Sequence, residues 1–138
     1  MALTGVLRAG FVQIRVLEMD EALAHYVDRI GLDLVEKADD GRVYLSGYDE
    51  FDRHSIVLRE ADSPGVDFMA FKVAGDADLD AFEKRIADFG LSVDWVAPGE
   101  QPGVGRRISV GLTSGHRIDL YAEMARSDNG PIVENPDI

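Results

Sequence analysis

The sequence predicts an α+β fold in which two tandem βαβββ modules form a curved mixed sheet, and three observations carry that prediction. His54-Ser55-Ile56-Val57-Leu58 and His116-Arg117-Ile118-Asp119-Leu120 both read H-x-I-x-L, an alternation that suits a strand with one buried face. Upstream of each lies the same order of parts: a short apolar strand, an amphipathic helix closed by glycine, a strand and a turn. The chain has 138 residues, the size of one domain that buries its own core.

The elements follow in order. Phe11-Val12-Gln13-Ile14-Arg15-Val16 alternates, with Phe11, Gln13 and Arg15 on one face and Val12, Ile14 and Val16 on the other. Asp20 stands where an N-cap is wanted, ahead of Leu23, Tyr26, Val27 and Ile30 at helical spacing, and Gly31 marks the stop. Residues 32–37 read as a second strand, Asp39-Asp40-Gly41 as a turn, 42–48 as a third strand and 54–59 as the closing one. Ser63-Pro64-Gly65 punctuates the middle. The second module opens with Asp67-Phe68-Met69-Ala70-Phe71-Lys72-Val73, and its helix places Leu79, Phe82, Ile86 and Phe89 on one face before Gly90. Strands at 91–96, 106–112 and 116–123 complete it, separated by the 98–103 loop and the Thr113-Ser114-Gly115 turn. Module one thus spans about residues 9–63 and module two about 65–124. Residues 125–138, with Pro131 and Pro136 and no periodicity, read as a tail or interdomain linker.

Composition narrows the function. Apolar residues make up 46% and charged residues 29%, the balance of a globular domain. A formal charge of −12 repels phosphate backbones and anionic lipid, so neither nucleic acid nor a membrane is an expected partner. No apolar run has the length of a membrane span and the start lacks the basic character of a signal peptide, which makes the cytoplasm the expected compartment. Without cysteine, thiolate chemistry and disulfides are out. His25, His54 and His116 form no H-x-H or H-E-x-x-H pattern. His25 reads as a surface or boundary residue of the first helix. His54 and His116, each at the start of a closing strand, read as turn-stabilising donors. Gly103-Val104-Gly105-Arg106-Arg107 lacks the strand-loop-helix setting of a phosphate loop and reads as a sheet connection.

A tandem βαβββ pair is the build of the vicinal oxygen chelate superfamily of glyoxalases, extradiol dioxygenases and bleomycin-resistance proteins. The segments Gly10 to Asp20, Gly41 to Leu45, Val57 to Asp62, Asp67 to Val73 and Ser114 to Ala122 together resemble the N-terminal domain of catechol 2,3-dioxygenase. The resemblance runs in order along nearly the whole chain. It implies that Fe(II), two histidines and a glutamate belong to a separate C-terminal domain, that this chain carries no cofactor, and that its role is structural. Laying the repeats on one another places Phe11, Val57, Asp67 and Asp119 at the positions that would hold a metal in the catalytic half. None is histidine, and a pair of carboxylates without imidazole offers at best a weak, magnesium-like site. Asp67 and Asp119 facing one concavity would raise one pKa by mutual repulsion.

A homo-oligomer, dimer or larger, is expected from apolar surface that such a half would leave exposed. The competing reading is a bleomycin-resistance-like protein that holds a cationic small molecule in a dimer groove, with Trp95, Tyr26, Tyr44 and Tyr48 as aromatic surfaces for the cation. A small free-standing enzyme with a site across a homodimer fares worse, because pairing two copies adds no histidine.

Overall fold

The computed structural model describes residues 5–127. They fall into two compact units, one built on module one (residues 11–66, joined by 125–127) and one on module two (residues 67–124, joined by 5–10). Each carries one βαβββ set.

In the module-one unit, β1 (Val6–Val16) runs parallel to β4 (Ile56–Glu60), while β3 (Val43–Ser46) lies antiparallel to β4 and to β2 (Asp33–Lys37), giving the order β2-β3-β4-β1. The parallel pair requires a crossover, and the first helix supplies it. Val43, Leu45 and Leu58 form the core on the helix face, with Ile14, Val16, Leu23, Tyr26 and Val27 packed against them. Gln13, Val57 and Tyr44 are direct cross-strand partners and point to the opposite, helix-free face.

The first helix differs from its sequence reading at both ends. α1 spans Met19–Leu23, so Glu18 and not Asp20 occupies the N-cap position, and the Glu60 carboxylate accepts the Met19 N–H at 2.9 Å. A carboxylate brought in from β4 replaces the local cap. Beyond Leu23 the helix widens into a π segment at Ala24–Arg29, closed by the Ile30 N–H on the His25 carbonyl. A wide turn shifts later residues off a 3.6-residue stripe, and Ile30, expected on the buried face, is 56% exposed.

In the module-two unit, β5 (Gly65–Val73) is parallel to β8 (Arg117–Tyr121), and β7 (Arg107–Gly111) is antiparallel to β8 and to β6 (Asp94–Val96), for the order β5-β8-β7-β6. α2 (Asp76–Phe89) begins at Gly75, whose N–H bonds the Asp78 carboxylate at 2.9 Å, and ends at Gly90 with φ +101°, the left-handed conformation that glycine adopts freely. Val73, Leu79, Ile108, Leu120 and Ala122 form the core beneath α2, joined by Phe71, Phe82 and Ile86. Phe89, assigned to the same stripe by spacing, is the last residue of α2 and is 83% exposed.

The chain stays in the fold past Met124. The Ala125 carbonyl accepts the Arg53 N–H at 2.8 Å, the Ser127 N–H reaches the Phe51 carbonyl at 2.7 Å, and Arg126 bridges to Asp52. Residues 125–127 are therefore a short clasp on the 50–53 loop, where the sequence shows only polar character. The rest of the expected tail, 128–138, lies outside the described residues.

Candidate functional site

The helix-free faces carry the polar groups of both units, and strand register decides which residues meet there. In module one Gln13 pairs with Val57, and in module two Ala70 pairs with Asp119, so Val57 and Asp119 hold matching places. Two residues back along the first strands, the counterpart of Phe11 is Phe68. The sequence overlay has Asp67 instead. A one-residue offset turns a strand side chain to the other face, so by alternation Asp67 shares the face of Met69 and Phe71 and not that of Asp119. The two carboxylates do not converge on one face, and mutual repulsion is not what shifts Asp119.

Asp119 has another neighbour. Its carboxylate accepts the Arg107 Nε–H at 2.7 Å, and the side chains are only 2% and 4% exposed. Arg107 sits diagonally across the β7–β8 ladder, where Arg107 pairs with Tyr121 and Asp119 with Ser109. The Arg107 Nη2–H bonds Glu100 at 2.8 Å, and its guanidinium lies 5.1 Å from the Phe68 ring centroid. Burial pushes the Asp119 carboxyl above its ordinary range, while the Ser109 hydroxyl and the Arg107 charge pull it back. Tyr121 is fully buried beside Gly10, where a Cβ would run into the Tyr121 hydroxyl.

Module one offers a different set. Phe11 and Val57 are 4% and 0% exposed and apolar. His54 is fully buried, with Arg53 Nη1 3.0 Å from its Nδ1, the Phe11 ring edge-on at 5.5 Å and the Tyr44 ring at 4.7 Å. Arg53 also bonds Glu36 at 2.7 Å and lies over Tyr44 at 5.2 Å. His116, the repeat partner of His54, is exposed and 2.9 Å from the Ser114 hydroxyl across its turn. His25 is exposed in the π segment, edge-on to Tyr26. No sequence reasoning singled out Arg107 or Arg53. The available signal was an arginine inside an apolar strand, on the same alternation as Ser109 and facing an aspartate across a tight turn.

A ferrous site of two histidines and one carboxylate does not fit this donor set. Phe11, Val57 and Phe68 have no lone pair to give, and Asp119 is committed to a guanidinium. Among the described residues no group of three or more His, Cys, Asp or Glu side chains could hold a metal ion. Two of the aromatic surfaces suggested for a cationic ligand are already covered: Trp95 by Arg106 at 4.5 Å and Tyr44 by Arg53. No helix among the described residues is long and apolar enough to cross a membrane.

Residues 66–125 match the family described as "Catechol 2,3-dioxygenase-like N-terminal domain". Metapyrocatechase from Pseudomonas sp. (strain CF600) is 44% identical over 119 residues, covering 86% of this chain and 39% of that protein. The 2,3-dioxygenase LapB from Pseudomonas sp. KL28 superposes with a TM-score of 0.88 at 38% identity over 99% of this chain and 46% of its own. Homoprotocatechuate 2,3-dioxygenase from Brevibacterium fuscum shares the fold, with a TM-score of 0.86 at 22% identity. The chain spans less than half the length of these relatives. With its paired βαβββ modules and these likenesses, the chain has the vicinal oxygen chelate fold and corresponds to the N-terminal domain of the extradiol catechol dioxygenases.

Proposed function

We propose that this chain is the metal-free, structural half of an extradiol catechol dioxygenase. Iron-dependent ring cleavage then belongs to a C-terminal domain of the whole enzyme, which acts on a catechol. This half packs beside that domain, contributes contacts between subunits of a homo-oligomer, and is inactive alone. The observation that carries the reading is the fate of the matched positions: Phe11, Val57 and Phe68 are apolar, and Asp119 is buried against Arg107. Each change removes a donor that Fe(II) chemistry requires.

Co-expression tests the division of labour. Catechol cleavage is expected when this chain is produced with the C-terminal domain of a catechol 2,3-dioxygenase lacking its own N-terminal part, and not from either piece alone. Cleavage by the C-terminal piece alone at the same rate would remove the structural role. Light scattering of the isolated chain at micromolar concentration tests self-association, for which exposed Val6, Leu7, Leu34 and Val35 supply apolar surface. A monomer would contradict that part.

A further inference from the structure

Arg107 lies in a setting that pairing with one carboxylate does not explain. Its two nitrogens on one edge address two different carboxylates, Nε to Asp119 at 2.7 Å and Nη2 to Glu100 at 2.8 Å, while Phe68 lies 5.1 Å from the guanidinium. The remaining nitrogen, Nη1, is buried and has no hydrogen-bond partner among the described residues. We propose that Asp119, Glu100 and Phe68 form a binding site whose shape suits a planar guanidinium cation and not a divalent metal, and that Arg107 fills it from within the chain.

The shape of the site supports a planar ion over a spherical one. Two acceptors along one edge and an aromatic ring nearby suit guanidinium, which is flat, weakly hydrated and compatible with aromatic surfaces. A magnesium-like ion needs about six oxygens at short range and keeps most of its water. Here two carboxylates are available, and Asp119 is 2% exposed. Most of the site is fixed by the sheet, with Arg107 and Asp119 on paired strands and Phe68 on β5, while Glu100 reaches in from the 98–103 loop. Asp119 therefore stays buried beside a positive charge that cannot diffuse away, and leaving that carboxylate without a partner is costly.

Removing the occupant and offering the free ion is the direct test. The full chain carrying R107A is expected to melt below wild type, and about 20 mM methylguanidinium should restore several degrees by binding the folded state. Sodium chloride at equal ionic strength should not, nor should methylguanidinium added to wild type or to R107A/D119N. Manganese(II) should give no Asp119-dependent stabilisation of R107A. Equal recovery in the double variant would overturn the proposal, as would no recovery in a folded R107A chain, or manganese matching methylguanidinium. Should R107A fail to fold unaided, refolding it with and without methylguanidinium decides the matter. Folded protein only in its presence supports the site, and no difference contradicts it.

Discussion

The two H-x-I-x-L strands bury the same apolar pair and differ between those residues. Ile56 and Leu58 face the first helix as Ile118 and Leu120 face α2. Between them Val57 puts a buried apolar side chain on the helix-free face of module one, whereas Asp119 puts a buried ion pair on that of module two. The opening histidines diverge too, His54 being buried among rings and His116 exposed on its turn. Repeated cores keep the build, since any change of volume beneath a helix is felt throughout the packing. On the helix-free faces the matched residues are buried too, and there the two modules differ in chemistry.

Substitutions at matched positions can break this contrast. Asp119→Ala removes the buried partner of Arg107 and leaves it only the partly exposed Glu100, which should cost about 3–5 kcal/mol in denaturant unfolding. Val57→Ala removes only methyl groups from an apolar site and should cost about 2 kcal/mol. Equal losses would mean that the ion pair counts only as packing. Leu58→Ala and Leu120→Ala, by contrast, should cost alike, about 2–4 kcal/mol each, because both leave cavities in equivalent cores. Gly10→Ala should cost about 1–3 kcal/mol, since its Cβ would strike the buried Tyr121 ring.

Acid titration sharpens the contrast by sign. Hydrogen bonds from Arg42 hold Asp40 below the ordinary carboxylate range, and Arg106 does the same for Asp76. Each contributes stability that is present above the unfolded pKa and fades as pH falls through the lowered folded value. Asp119 runs the other way. Burial raises its folded value, so the native state holds the proton more tightly, and stability declines as pH rises from the ordinary range through the raised one. Carboxyl-carbon NMR should place Asp119 above the ordinary range and Asp40 and Asp76 below it. The smallest effect belongs to His116→Ala, within about 0.5 kcal/mol on an exposed turn.

Much of this fold was legible because alternation and glycine punctuation are local signals. The paired H-x-I-x-L strands and the helix stop at Gly90 follow from them. Three features were not legible, for three reasons. The cap on Met19 comes from Glu60, on another strand. The π segment displaces Ile30 by a backbone change that its residue types do not announce. Register separates Asp67 from Phe68 by one step, which an overlay of repeats cannot resolve but ladder pairing can. At the candidate site, the apolar character of Phe11 and Val57 could be read directly. Arg107 could not, since its meaning depends on Asp119 and Glu100 arriving around it.

The most direct test of a metal-free half is to load the isolated chain anaerobically with ferrous ion, measure bound iron after desalting, and add catechol and oxygen to the same sample. The expected result is iron far below one per chain and no ring-opened product. Near-stoichiometric iron together with ring cleavage would show that these residues assemble a working centre, and would contradict the account.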